Sequence, residues 1–173
     1  MAQVRTYRKL LANVSGGSVD MNVDGSSTDV VFHQQASNRG QVVTIDEVRF
    51  VFRSTGMDLS TTEVQNFGAV GAALTTGLLF QADIGDNNIN LFSEVVTRMS
   101  DLWRYCEEDV VNMVDGYPSN VDLAVFRWVP TRPLVLTWNQ RAQTTADRIT
   151  VTVQDDLTSL DHFQVQVIGE ERL

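Results

Sequence analysis

The sequence predicts an all-β protein, a sandwich or barrel of about eight antiparallel strands with one amphipathic helix on a connection. The strongest observation is that residues 148–154 and 162–167 alternate apolar and polar side chains with a period of two, which is typical of half-buried strands. Similar short runs recur along the chain between turn-forming residues. Since 173 residues suit one domain, we divide the chain into an N-terminal arm, residues 1–14, and a single domain, residues 15–173.

Six further strands are predicted before the closing pair, at residues 18–23, 29–33, 42–53, 78–83, 123–129 and 134–139. The longest of these runs changes parity along its length. Val43 and Ile45 share one face, whereas Phe50 and Phe52 occupy the other set of alternate positions. A bulge or bend near Asp46-Glu47 would return all four side chains to the same face of the sheet.

One segment has helical rather than strand periodicity. Between Val95 and Val110 the apolar residues recur at spacings of three and four, which predicts an amphipathic helix of about five turns. Ser93 is a plausible N-cap for it. The acidic residues Glu107 to Asp109 are then the solvated face and end of this helix.

Composition excludes several classes of function. The net charge of -9 disfavours nucleic-acid binding, because polyanions are bound mainly through Lys and Arg. No apolar run approaches the roughly 20 residues of a membrane-spanning helix. A single cysteine, Cys106, excludes an intramolecular disulfide and a four-cysteine metal site.

The sequence also lacks the clusters that catalysis requires, so we expect no enzyme activity, no cofactor and no catalytic residue. His33 and His162 stand alone on predicted strands, which disfavours a metal site. Cys106 lies on the apolar face of the predicted helix, where a buried thiol would be inert.

Two sets of residues remain as candidate contact sites. Arg5, Arg8 and Lys9 make the arm basic, so it could contact a neighbouring subunit or an anionic lipid surface. Trp128 and Trp138 could form a sugar-binding platform, although aromatic residues on strands more often belong to the core. A jelly roll, a common eight-stranded form of sandwich, serves both assembly and binding proteins.

The chain resembles the small major capsid proteins of tailless icosahedral phages with an internal membrane, of the type that infects Thermus. The resemblance lies in the overall size, in the basic arm at residues 5–11, and in the closing strands at residues 149–153 and 163–168. It implies a single vertical jelly roll. No catalytic residue carries over from such proteins.

The resemblance implies that the protein is a structural virion subunit, made in the host cytoplasm and located in the capsid shell. Its partners would be further copies of itself, a larger capsid protein with which it forms capsomers, and the internal lipid membrane. The alternative is a jelly-roll receptor-binding or carbohydrate-binding module that uses the tryptophans.

Overall fold

The computed structural model describes residues 4–13, 23–37, 40–55, 67, 73–112, 121–138, 145–160 and 162–172. These residues form an all-β sandwich of two antiparallel sheets. The strands are β1 (Val4–Leu10), β2 (Ala12–Asn13), β3 (Val30–Gln35), β4 (Val42–Thr55), β5 (Leu78–Ile84), β6 (Asn87–Asn90), β7 (Glu107–Asn112), β8 (Val121–Trp128), β9 (Leu134–Thr137), β10 (Arg148–Val153) and β11 (His162–Arg172).

The larger sheet has six strands in the order β1-β11-β4-β8-β7, and β9 also pairs with β4. The smaller sheet has the order β2-β3-β10-β5-β6. The chain passes from the first sheet to the second at Leu11, a buried residue whose backbone N–H donates to the carbonyl of Val165 at 2.8 Å. The first two strands therefore tie the edges of both sheets together.

The core lies between the sheets and is rich in aromatic side chains. Alternate residues of β3, β5 and β11 are buried, as a strand with one face on a core requires. Phe32 of the smaller sheet packs edge-on against Phe163 of the larger one, with ring centroids 5.6 Å apart. Phe50 and Phe80 make the same kind of contact at 5.5 Å. Such pairs join the two sheets and add specific geometry to apolar burial.

The predicted change of parity in β4 is confirmed. β11 pairs with β4 through a register shift in which Glu47 lies opposite Ile168 and Ile45 lies opposite Gly169, so Asp46 is the extra residue. Glycine is required there, because a Cβ on Gly169 would lie 1.8 Å from the carbonyl oxygen of Thr44. The bulge keeps the apolar residues on both sides of it in the core.

The predicted five-turn helix is wrong. Between residues 95 and 110, all of which the structure describes, there is a six-residue 3-10 helix, Met99–Arg104, followed by strand β7. Val96, Met99 and Leu102 are buried as predicted, but Trp103 is 50% exposed. The apolar residues that suggested one helix therefore belong to three successive elements, namely the isolated β-bridge of Val96 with Leu78, the short helix and strand β7. Glu107 to Asp109 belong to β7 rather than to a helix surface.

Seven of the predicted strands correspond to strands of the structure, namely β3, β4, β5, β8, β9, β10 and β11. The eighth predicted strand, at residues 18–23, lies outside the described residues except for Val23. The predicted arm contains β1 and β2, and β1 pairs with β11 from Val4 to Leu10. The described part of the arm is thus an integral edge of the sandwich.

Candidate functional site: a basic edge strand and its groove

β1 forms one edge of the larger sheet, with β11 as its only strand partner among the described residues. Six of its seven residues are exposed, and Tyr7 is half-buried. An edge strand presents a row of unpaired backbone groups to which another strand can add. The candidate contact residues Arg5, Arg8 and Lys9 all lie on this edge.

The three cations are divided between the two sides of the strand. Arg5 and Lys9 lie opposite Glu171 and Val167, on the side of the sheet that faces the core. Arg8 points the other way, and its Nε donates to Oε1 of Gln166 at 3.0 Å. Neither Arg5 nor Lys9 forms an ion pair within the described ranges, so their charges are available to a partner.

A groove of about 440 Å³ runs beside β1 and is lined by its residues together with Gln34, Ser37, Gln41, Val43 and Glu171. Gln34 is only 7% exposed, and its Nε2 donates to the carbonyl of Gln35 at 3.1 Å. Its Oε1 has no hydrogen-bond partner in the described part of the chain. Exchanging the two amide atoms would set Oε1 against that carbonyl oxygen, which cannot donate, so the hydrogen bond favours the assignment that leaves Oε1 as the free acceptor.

Tyr7 closes the floor of this groove. Its hydroxyl donates to the carbonyl oxygen of Thr44 at 3.5 Å. Burial raises the pKa of the Tyr7 phenol well above its ordinary value, and the negative charges of Glu171 and Asp46 raise it further. The phenol therefore stays neutral, and the positive charge of the groove comes from Arg5, Arg8 and Lys9.

Both tryptophans of the predicted sugar platform are partly buried and pack against the core. Trp128 lies opposite the buried Val48, and its ring meets Phe80 edge-on with centroids 5.0 Å apart. Trp138 follows β9 and also packs against the core. These contacts give both rings a packing role.

A second groove, of about 670 Å³, lies on the outer face of the smaller sheet. Two rows of polar residues cross the strands β3, β10, β5 and β6 in register: Gln35, Arg148, Asp83 and Asn88, and then His33, Thr150, Gln81 and Asn90. Residues from four strands thus meet on one surface, and no local sequence pattern reveals this grouping because it depends on strand order.

Part of this polar face is held by side-chain hydrogen bonds. Arg148 Nε donates to Asp83 at 2.6 Å, and Asn88 Nδ2 donates to the same carboxylate at 2.7 Å. Burial alone would raise the pKa of Asp83, but these two bonds and the positive charge of Arg148 outweigh it and the pKa is lowered. Gln81 Nε2 donates to Oδ1 of Asn90 at 2.9 Å. The arrangement offers ordered donors and acceptors with its strongest charges paired.

The remaining candidate residues are not brought together as a reactive centre in the described ranges. His33 lies in the middle of β3, and His162 begins β11. Burial raises the pKa of the Cys106 thiol to about 12, so the nucleophilic thiolate is scarce at neutral pH. No group of three His, Cys, Asp or Glu side chains that could hold a metal occurs among the described residues.

Comparison with known proteins adds no family: no protein-family model, curated protein or solved structure matches the chain. Within the described ranges, no helix has the length and hydropathy needed to cross a bilayer. Long loops of a sandwich often carry its contacts, but the two that the sequence predicts, residues 54–66 and 139–147, lie largely outside the described residues.

Proposed function

We propose that this chain is a structural subunit that self-associates through the edges of its sandwich. In its fullest form, the proposal is a major capsid subunit of an icosahedral shell, located in the virion, which joins a larger capsid protein in capsomers over an internal membrane. The observation that carries it is β1, an exposed edge strand with three cations and a groove beside it. Contacts of this kind are individually weak, but a closed shell repeats them many times.

The finer part of the fold prediction, a jelly roll, belongs to the same proposal. Support comes from the connections: the chain changes sheet from β3 to β4 to β5, and again from β9 to β10 to β11. Such alternation between two sheets is a feature of jelly rolls as well as of other Greek-key sandwiches. A capsid role would use the side walls of the sandwich for contacts between neighbouring copies.

The first experiment is the solution mass of the purified chain, measured by size-exclusion chromatography with light scattering over a range of concentration and salt. We expect growth with concentration that weakens as salt rises, because exposed charges are screened. The variant Arg5→Ser/Arg8→Ser/Lys9→Ser should stay folded and lose this growth. A matched control, Arg98→Ser/Arg104→Ser/Arg132→Ser, removes the same charge from exposed positions outside β1.

This substitution is more informative than deletion of residues 1–14, which would also remove the backbone pairing of β1 with β11. We also predict that deletion of residues 1–14 weakens assembly or membrane association without melting the fold. A wild-type chain that remains monomeric at every concentration would contradict self-association. Equal loss in the control variant would show that net charge matters rather than the β1 edge.

The second candidate is a receptor-binding or carbohydrate-binding module, and the polar groove of the smaller sheet favours it. Its amides and hydroxyls can both donate and accept hydrogen bonds, as binding of a polyol requires. Screening against immobilised glycans tests this function. Loss of binding in Thr150→Val with folding intact would place the ligand in the groove, whereas loss only in Trp128→Ala or Trp138→Ala would favour the tryptophans.

A further inference from the structure

The two edges of the larger sheet carry opposite charges. β1 contains Arg5, Arg8 and Lys9 and no acidic residue, and we call it the basic edge. β7, at the far end of the same sheet, begins with Glu107-Glu108-Asp109 and contains no basic residue, and we call it the acidic edge. In the described part of the chain each has a strand partner on one side only, so each can accept a further strand.

The directions and lengths of the two edges allow them to pair between copies. Four antiparallel steps separate β1 from β7, so both strands run the same way within one molecule. A neighbour rotated about an axis along the strands would place its β7 parallel to β1. At about 3.3 Å per residue the edges are roughly 23 and 20 Å long, so one nearly covers the other.

The charges select this pairing over the others. Pairing β1 with β1, or β7 with β7, would bring like charges together, whereas β1 against β7 joins cations to carboxylates. Arg5 and Lys9 are exposed without an ion pair among the described residues. The Glu107 side chain is 72% exposed, although Arg127 donates to it at 2.6 Å. Arg5 and Lys9 on one edge and Glu107 on the other therefore present charge to solvent.

A purely protective role is the simpler explanation of charged edges, because charges and bulges keep sheets from sticking together. β7 does contain a register shift between Glu108 and Val110. Protection, however, needs only one sign of charge, which would make every pairing repulsive. Opposite signs leave one pairing attractive, and that pairing is between different surfaces of identical molecules.

We propose that the acidic edge of one copy pairs with the basic edge of the next, so that the larger sheet continues from copy to copy. The proposal rests on the proposed function, since it presupposes self-association, and it names the contact. An interface between two different surfaces generates a closed ring or an open array rather than a two-fold dimer. The groove beside β1 leaves space for side chains of the incoming strand.

A charge exchange provides the first test. Arg5→Glu/Arg8→Glu/Lys9→Glu gives a chain with two acidic edges, and Glu107→Lys/Glu108→Lys/Asp109→Lys gives one with two basic edges. Each variant alone should associate at least about tenfold more weakly than the wild type, because attraction becomes repulsion at the contact. Mixed in equal amounts they should assemble again, since each reversed edge now meets one of opposite charge.

The second test uses Lys9, the only lysine in the sequence. A carbodiimide reagent joins a lysine amine to a carboxylate in direct contact, and peptide mapping identifies the joined residues. We expect cross-linked oligomers in which Lys9 is attached to Glu107, Glu108 or Asp109. Within one molecule β1 and β7 are four strand spacings apart, about 19 Å, so this link must join two copies. Lys9→Arg keeps the charge and should abolish the product.

The outcomes separate this inference from the function on which it rests. If the wild type does not associate at all, both self-association and the edge pairing are contradicted. If the wild type associates, but the single variants associate equally well or Lys9 links only to other carboxylates, self-association stands and the edge pairing is overturned. If the variants lose association and the mixture stays monomeric, the edges do not contact each other. If the protein binds anionic phospholipid vesicles through Lys9 and forms no cross-linked oligomers, the basic edge contacts a membrane instead.

Discussion

The central strands of the two sheets are stabilised in different ways. β4 has fourteen residues and pairs with β11 on one side and with β8 and β9, one after the other, on its second side. β10 has six residues and pairs with β3 and β5. The long strand satisfies its backbone groups by pairing, whereas the short one ends where the loops of the sandwich begin.

Aspartates stand at both ends of β10 and bind the loops there. Asp147 precedes the strand and accepts hydrogen bonds from the backbone N–H of Gly85 at 2.8 Å and of Thr137 at 2.9 Å. Asp155 follows it and accepts from the backbone N–H groups of Thr75 and Thr76 at 3.1 and 2.8 Å. Carboxylates therefore satisfy the orphan donors that a longer strand would pair directly. The comparison predicts that β4 depends on packing and β10 on polar contacts.

The largest expected effect is on β4. Phe52 is fully buried, and its ring lies 5.2 Å from Phe163, 5.3 Å from Phe67 and 5.9 Å from Phe126. Phe52→Ala should lower the free energy of unfolding by about 4 kcal/mol, because it removes apolar burial and leaves a cavity. Urea unfolding measures this. Val135→Ala, at an exposed position on β9, should cost less than about 0.5 kcal/mol, and a similar loss in both variants would contradict the packing argument.

The bulge of β4 should be nearly as sensitive. In Gly169→Ala the new methyl group would lie 1.8 Å from the Thr44 carbonyl oxygen, so the paired backbones must move apart. We expect a loss of about 3 kcal/mol in urea unfolding. Gly40→Ala is the control, because Gly40 has a φ of +83° but open space around it, and it should lose only about 1 kcal/mol. Gly169 has no left-handed φ, so a loss no larger than that of Gly40→Ala would mean that the paired backbones accommodate the methyl group and that close approach does not require glycine there.

The third prediction compares the two ends of β10. Asp147 is 3% exposed, so Asp147→Ala removes a buried acceptor of three hydrogen bonds and should cost about 2 kcal/mol. Asp155→Ala should cost about 1 kcal/mol, since exposed Thr75 and Thr76 can turn their N–H groups to water and only the N–H of buried Gly77, which also donates to Asp155, loses its acceptor without access to water. Thermal unfolding of both variants gives the comparison. A larger loss for Asp155→Ala would show that the two carboxylates do not differ in the way their burial indicates.

The same contrast explains how much of the fold the sequence predicts. The bulge of β4 could be predicted because Val43 and Phe50 both had to reach the core, and parity alone required an extra residue between them. The alternation in β10 and β11 likewise reflects one buried face. Where burial determines a strand, the local pattern is sufficient.

The helix prediction failed where long-range pairing decides the structure. Val96 bridges Leu78, and the N–H of Leu74 donates to the carbonyl of Thr97, so the start of the supposed helix is tied to distant backbone. Its end, with β-branched Val110 and Val111, pairs with β8. The two adjacent valines were the available signal for a strand. Periodicity could not reveal these partners, since it reads one segment at a time.

The candidate sites divide in the same way. Arg5, Arg8 and Lys9 could be selected from the sequence because they are close together along the chain. The acidic edge was assigned to a helix, and its relation to β1 appears only in the strand order. The polar groove of the smaller sheet needs four strands in register, so no local pattern marks Arg148 or Gln81 as neighbours.

The smallest expected effect is a pH dependence at the polar face beside β10. Burial lowers the pKa of His33 below its ordinary value, and the positive charges of Lys9 and Arg148 lower it further. The unfolded chain therefore binds the proton more readily than the folded one. Stability from the neutral ring is complete above the unfolded pKa, near 6.5, and is lost as the pH falls from there toward the lower folded value.

Urea unfolding of the wild type and of His33→Gln between pH 5 and 8 tests this sign. The free energy of unfolding of the wild type should fall toward the acid side of this range. In His33→Gln it should fall less, because the titrating ring is absent. Thr150→Val changes the cross-strand neighbour of His33 without removing a titrating group, so it should keep the wild-type slope. If His33→Gln keeps the slope as well, another group causes it. A slope of the opposite sign would mean that His33 is stabilised in its charged form, contrary to its position between Lys9 and Arg148.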